Sequence, residues 1–210
     1  MLVIGLGNPG PEYSKTRHNA GFMLVDSMVR VNRSNVRLAG ENYALTEAKR
    51  SKKICRGEFY SSAGKLSGFF KPMTYMNLSG KAVKCLVERM SIPLTELVVC
   101  HDDMDIPLGE IKVKFGGGAG GHKGILSVSS ELGSSDFARI RIGISKSATG
   151  DPADYVLEPF SEEEKDIFDK GLKQAVSAVH ALAAKGVPTA QTIFNRKLES
   201  ETSQEIDTNV

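Results

Sequence analysis

The chain of 210 residues contains no tryptophan and only three cysteines, and no apolar run approaches the roughly 20 residues of a membrane-spanning helix. Charge of one sign is also scarce: 27 Lys and Arg stand against 25 Asp and Glu, a formal net charge of +2. Each shortage excludes something. Without a long apolar run, no membrane span is expected. The N-terminus begins at once with strand-like residues and no basic region, so no secretory leader is expected. Cys55, Cys85 and Cys100 are odd in number and scattered, so neither a disulfide framework nor a zinc ligand pair is expected, and the reading is a reducing cytoplasm. A net charge of +2 does not announce nucleic-acid binding; what counts is where the bases cluster. No internal repeat is visible. What remains is an ordinary soluble composition, 40% hydrophobic and 25% charged, in a chain long enough for one domain with a sizeable core.

The apolar run Leu2-Val3-Ile4 reads as a buried strand, 1–6, and Phe22, Val25, Met28 and Val29 give a helix over 19–32 one apolar face. Residues 43–47 read as a strand. Segments 53–60 and 65–71 flank Ser61-Ser62-Ala63-Gly64 as an antiparallel hairpin. A helix over 79–90 follows, ended by Pro93. Leu97-Val98-Val99-Cys100 has the continuous apolarity of a central strand covered on both faces. Strands at 110–115 and 138–144 alternate in polarity and enclose a helix at 125–132. Ser161 with Glu164 marks a capping box for a helix running to 185, with a further turn or two at 189–198. Helices interleaved with strands imply an α/β fold: a single-domain three-layer sandwich, its twisted mixed β-sheet flanked by helices. The domain is expected over 1–196, with 197–210 a disordered polar tail. In such folds ligands gather beyond the carboxyl ends of the strands.

The stretch from Leu6 to Gly21 holds more residues than a strand-to-helix connection of about 2–6 requires, so it reads as a loop carrying side chains to a site. Gly5-Leu6-Gly7-Asn8-Pro9-Gly10 matches a dinucleotide-binding pattern. The prolines around Gly10 prevent it from opening a helix, and Asp26 falls on a helix, so that reading is disfavoured. Asn8 is either a turn residue or an amide aimed into a site. His18 is the best general-base candidate, against the plain alternative of a surface or capping histidine. His101, Asp102, Asp103 and Asp105 follow a buried strand. They fit a metal site, a carboxylate that orients a histidine from another loop, or turn chemistry before Pro107. The glycine-rich loop 116–124 resembles an anion nest but lacks the Gly-Lys-Ser/Thr ending of an NTP-binding loop. Around it lie Lys112, Lys114, Lys123, Arg139 and Arg141, which either grip a polyanion backbone or line a solvated sheet face.

Several blocks, in order over roughly residues 1–195, together resemble the bacterial-type peptidyl-tRNA hydrolases. They are Gly5–Gly10 with Tyr13, Thr16-Arg17-His18-Asn19-Ala20-Gly21, Lys71-Pro72-Met73-Thr74-Tyr75-Met76-Asn77-Leu78-Ser79-Gly80, His101-Asp102-Asp103-Met104-Asp105, the 116–124 loop, and Phe137-Ala138-Arg139-Ile140-Arg141-Ile142-Gly143. The resemblance implies a cytoplasmic, monomeric enzyme that cleaves the ester between a peptide and the 3′ end of tRNA. It implies no cofactor, no metal, no membrane and no obligate protein partner, the partner being peptidyl-tRNA itself. It passes the role of base to His18 and of its support to Asp102. Asn8 and Asn77 fall at positions touching the peptide and the reacting ester, and Asn8 helps to tell a blocked amine from a free one. Tyr13 and Tyr75 match contacts to the tRNA end, and Lys114 and Arg141 match contacts to its phosphates. Met76, His122 and Lys123 complete the substrate-contacting set, His122 without an assigned role. Lys123 departs from the family's usual asparagine; a lysine only donates, so it does not copy an amide that donates and accepts. A silent RNA-binding module is the alternative from another class.

Overall fold

The computed structural model describes residues 1–33, 49–62, 64–147 and 150–196. The strand expected at 43–47 and the tail at 197–210 lie outside them.

Among the described residues seven strands make one sheet: β1 (Leu2–Gly5), β2 (Lys49–Ile54), β3 (Gly57–Ser61), β4 (Gly68–Pro72), β5 (Leu97–Asp103), β6 (Ile111–Phe115) and β7 (Ala138–Gly143). Their order across the sheet is β2-β3-β4-β1-β5-β7-β6. The four central strands β4, β1, β5 and β7 run parallel. The outer strands β2, β3 and β6 run antiparallel to their neighbours. All four parallel strands therefore end on one edge of the sheet, and the loops leaving that edge hold the residues of interest.

Alternation along the strands sends one set of side chains to each face. Val3, Val98, Cys100 and Ile140 pack with Leu24, Met28, Phe168 and Val179, from α1 (Ala20–Arg33) and α5 (Glu162–Phe194). Leu2, Ile4, Leu97 and Val99 pack with Val83, Leu86, Ile125 and Val128, from α2 (Ser79–Met90) and α3 (Lys123–Leu132). The fold is thus the three-layer α/β sandwich with a mixed sheet that the sequence implies. A four-residue helix, α4 (Pro152–Tyr155), capped by Asp151, is an addition.

Four details differ from the sequence reading. Segment 53–60 is two strands: Cys55 and Arg56 both take positive φ and turn β2 into β3. The Cys55 and Cys85 sulfurs are bonded, tying this turn to α2, so the expectation of no disulfide is corrected. Residues 30 apart in sequence became neighbours because β4 and α2 fold back beneath the turn, a proximity that spacing does not reveal. β5 runs past Cys100, so His101, Asp102 and Asp103 belong to the strand. α3 begins at Lys123, with His122 as its cap. As the sequence reading expects, α5 breaks at Gly186 (φ 75°, ψ 176°), and helix resumes beyond it to Phe194.

The close approach that positions the site is where Gly5 meets Gly21. A Cβ on Gly5 would strike the Gly21 carbonyl, and one on Gly21 would strike the backbones of Leu6 and Cys100. Two glycines here let the start of α1 sit on the ends of β1 and β5. The Leu6 N–H donates to the Cys100 carbonyl (2.9 Å) and the Phe22 N–H to the Leu6 carbonyl (3.1 Å). The long loop between them is thereby folded over the end of β5. Gly10 takes φ 124° and leads into a 3₁₀ turn, Pro11–Tyr13, so the dinucleotide pattern has no opening helix.

Candidate active site

His18, from the long loop, and Asp102, from strand β5, meet under the surface. His18 lies in a 3₁₀ turn, Arg17–Asn19, just before α1; Asp102 is near the carboxyl end of β5. His18 Nδ1 lies 3.0 Å from Asp102 Oδ1 and 3.1 Å from Oδ2. A carboxylate accepts, so Nδ1 carries the proton and Nε2 is left as the basic nitrogen. Both residues are buried.

Asp102 has a second imidazole partner. His122 Nε2 lies 2.9 Å from Asp102 Oδ1. The other nitrogen of His122, Nδ1, accepts the N–H groups of Gly124 (3.1 Å) and Ile125 (3.3 Å) at the first turn of α3. Two backbone donors on Nδ1 force the proton of neutral His122 onto Nε2, where it is donated to Asp102. Burial alone would raise the Asp102 carboxyl. The His122 and His18 imidazoles outweigh it and hold the group well below the usual carboxylate range. Asp102 is therefore an anion gripped from two sides, with its charge directed at His18.

The ligand atoms of His18, Asp102 and His122 lie within 4.8 Å of one another, a set of the kind that binds transition metals. The hydrogen bonds oppose that use. A cation on His122 Nε2 would displace the only proton of that ring while Nδ1 stays committed to two N–H donors.

His18 is anchored from behind. Its N–H donates to the Val156 carbonyl (2.8 Å), and the Arg17 N–H to that of Glu158 (3.0 Å). The buried Arg17 guanidinium donates to the carbonyls of Glu158 (3.2 Å) and Pro159 (2.8 Å) and to Glu164 Oε2 (2.7 Å). It also stacks over Tyr155, 4.2 Å from the ring centroid. The capping carboxylate of α5 thus serves the loop as well: Glu164 Oε2 accepts from both the Ser161 N–H and Arg17. Burial raises the Glu164 carboxyl, but the Ser161 bonds and the Arg17 guanidinium prevail and lower it.

Asn8 is held with equal care. Asn19 binds its backbone twice, accepting the Asn8 N–H on Oδ1 (2.8 Å) and donating from Nδ2 to the Asn8 carbonyl (3.0 Å). Asn8 Oδ1 accepts the Met76 N–H (2.8 Å). That bond fixes the amide's orientation and leaves Nδ2, a pure donor, for a ligand. Met76 itself is buried against Gly124. Asn77, the next residue, is exposed, as are Tyr75 and Lys123. Tyr13 is half-buried.

The basic residues divide. Arg139 is buried; its guanidinium donates to the Gly117 and Gly118 carbonyls, so it shapes the glycine loop from within. Arg141 pairs through Nε with Asp103 Oδ2 at 2.6 Å. Lys114, opposite Arg139 across the β6–β7 ladder, lays its ammonium against Gly117. Lys114 and Arg141 are both partly exposed.

The structure thus unites His18 with Asp102 and Asn8 with Met76, and sets Lys114 and Arg141 apart on the far strands. Arg17, Asn19 and the orienting role of His122 escaped the sequence reading. The Arg17-His18-Asn19 triplet was the available signal: a candidate base flanked by two residues with many donors.

The sequence profile of the family described as "Peptidyl-tRNA hydrolase" matches residues 2–203. A peptidyl-tRNA hydrolase of Carboxydothermus hydrogenoformans is 43% identical over 200 residues, covering 93% of this chain and 98% of the relative. One from Citrifermentans bemidjiense is 42% identical with the same coverage. Among solved structures, the peptidyl-tRNA hydrolase of Acinetobacter baumannii superposes with a TM-score of 0.78 at 32% identity, covering 92% of this chain and 93% of that one.

Proposed function

The chain belongs to the peptidyl-tRNA hydrolase family, whose members release tRNA from peptidyl-tRNA, and from that premise we propose that His18 is the general base of its ester hydrolysis. One observation carries the assignment: His18 Nδ1 rests between the two oxygens of a buried, ionised Asp102. His18 Nε2 takes a proton from water as the water oxygen adds to the ester carbonyl. Asp102 favours the imidazolium so formed. The carbonyl oxygen becomes an oxyanion, and the Asn77 amide donates to it. When the intermediate collapses, the ester C–O bond breaks and the imidazolium returns its proton to the departing ribose oxygen. The products are a peptide acid and tRNA with a free 3′ end.

The fixed amide of Asn8 suits recognition of a blocked amine. Its Nδ2 donor pairs with the acyl carbonyl of an N-blocked residue, whereas a free aminoacyl ester offers an ammonium, donor against donor. Lys114, Lys123 and Arg141 contact phosphates, and Tyr13 and Tyr75 the tRNA end, with Met76 and His122 supporting the site. Phosphate contacts carry no sequence information, which fits an enzyme acting on many tRNAs.

The catalytic domain is taken as residues 1–196, acting as a monomer without metal or cofactor. Among the described residues no helix is long and apolar enough to cross a membrane. We assign the cytoplasm on the substrate alone, because the Cys55–Cys85 bond removes the cysteine argument.

The test is turnover of an N-acetyl-aminoacyl-tRNA against the same tRNA with a free amine, with chelator present. The blocked ester is expected to be cleaved at least 10-fold faster, at a rate unaffected by chelator. Equal rates, or loss of activity on chelation, contradict the reading.

A further inference from the structure

A cavity of about 310 Å³ opens beside Asn8, on the side away from β7 and β6. Its walls are Pro9 and Pro11 from the long loop, Phe22 and Met23 from α1, and Met73 after β4. At its base lies Lys71. None of these walls takes part in the reaction as derived above.

Sheet order decides which half of the substrate this cavity faces. The scissile ester joins tRNA to peptide, so the two must leave the reacting carbon in different directions. The basic residues proposed for the phosphates, Lys114 and Arg141, stand on β6 and β7. Asp102, near the end of β5, and His18, bonded to it, stand in the middle. The cavity adjoins β4, on the opposite flank. With the tRNA phosphates on the β7–β6 side, and only the 3′ end reaching Tyr13 and Tyr75 over the centre, the peptide is left the β4 side.

Charge agrees. Lys71 Nζ is not a free cation: it lies 2.7 Å from Asp26 Oδ1 and 3.2 Å from Glu58 Oε2. The Glu12 carboxylate presses against Gly10, another lining residue. Three carboxylates against one ammonium make a poor phosphate site, while the walls of Pro, Phe and Met suit an uncharged side chain.

We infer that this cavity binds an apolar side chain of the peptide, carried by the second or third residue counted from the ester. From β5 to β4 is two strand spacings, roughly 10 Å, and an extended peptide advances about 3.3 Å per residue, which sets that count. The enzyme then prefers peptides with an apolar residue there and disfavours acidic ones, with no such effect on substrates too short to reach. The inference rests on the hydrolase reading and specifies its peptide subsite.

The experiment compares kcat/KM for N-acetyl-tripeptidyl-tRNAs with Leu, Gly or Glu at the second and third residues, and for N-acetyl-aminoacyl-tRNA. Leu is expected to exceed Gly by about 10-fold at one of these positions, the return for burying one such side chain, and to exceed Glu by more. Met73→Trp, made at a half-exposed wall position, fills the cavity and should reduce the Leu-to-Gly ratio to below about twofold. Asp26→Asn should narrow the Leu-to-Glu gap while leaving the Leu-to-Gly ratio. Equal rates for all three residues, or ratios untouched by Met73→Trp, overturn the inference. Hydrolysis of N-acetyl-aminoacyl-tRNA separates the two claims: if it proceeds while the tripeptide series is flat, only the subsite fails, and if it does not proceed, the hydrolase reading fails.

Discussion

His101 adjoins the most charged buried residue of the site and is given a different task. Its Nδ1 donates to the Asp102 carbonyl at 2.7 Å, and its ring meets His122 edge-on, centroids 4.7 Å apart. Burial first, then the neighbouring His122, pushes its imidazole well below the ordinary value, so it stays neutral in the fold. The sign follows. Below about pH 6.5 the unfolded chain takes a proton that folded His101 refuses, so stability falls by up to about 1.4 kcal/mol per pH unit until the folded group titrates. Asp102 works in the same direction over a lower window, its depressed carboxylate withdrawing stability only as pH drops below about 4. His101→Asn keeps a donor for the carbonyl and removes the titration. Chemical denaturation between pH 6.5 and 4.5 should therefore show a shallower loss than in the parent; an unchanged slope would remove His101 from the account. At this scale the sequence was informative about types and poor about partners. His18 stood out because few residues suit its chemistry, whereas only the family resemblance told Asp102 from Asp103 and Asp105. That Asp102 serves two histidines depends on the α3 cap, and a capping role for His122 leaves no mark in spacing.

Elements show the same division. The helix at 79–90 was legible, because Val83, Leu86 and Val87 recur at helical spacing and Pro93 stands beyond its end. Segment 53–60 was not, because nothing about Cys55-Arg56 advertises two consecutive residues with positive φ. The disulfide there bears on the site. The Arg56 carbonyl accepts the Met73 N–H at 2.7 Å, so the turn tied to α2 also holds the start of the segment carrying Tyr75, Met76 and Asn77. Closing a loop across a separation of 30 residues removes unfolded-state entropy worth roughly 3–4 kcal/mol. Urea unfolding of the parent should move to a lower midpoint when reductant is added, with the unfolding free energy reduced by that much. Cys55→Ser should start at the lower midpoint and ignore reductant; a parent indifferent to reductant would contradict this. The 151–164 stretch was read only for its capping box. That Glu164 also receives Arg17, and so braces His18, is a contact between residues 147 apart that no local pattern encodes.

The whole molecule sets these parts in a line. Four parallel strands end on one edge, and sheet order sets the proposed phosphate contacts, the His18–Asp102 pair and the proposed peptide cavity in succession from β6 and β7, through β5 and β1, to β4. The α/β class was readable because interleaved helices and strands leave few other packings. Strand order was not, since it depends on crossovers that carry β4 and β5 to either side of β1. The central claim is that chemistry at the middle of this line runs through one nitrogen of His18. Single-turnover hydrolysis of N-acetyl-aminoacyl-tRNA by parent and His18→Ala, with tRNA binding measured alongside, tests it most directly. The account predicts a rate lower by about 10²–10⁴-fold with binding retained. Hydrolysis by His18→Ala at the parent rate would contradict it.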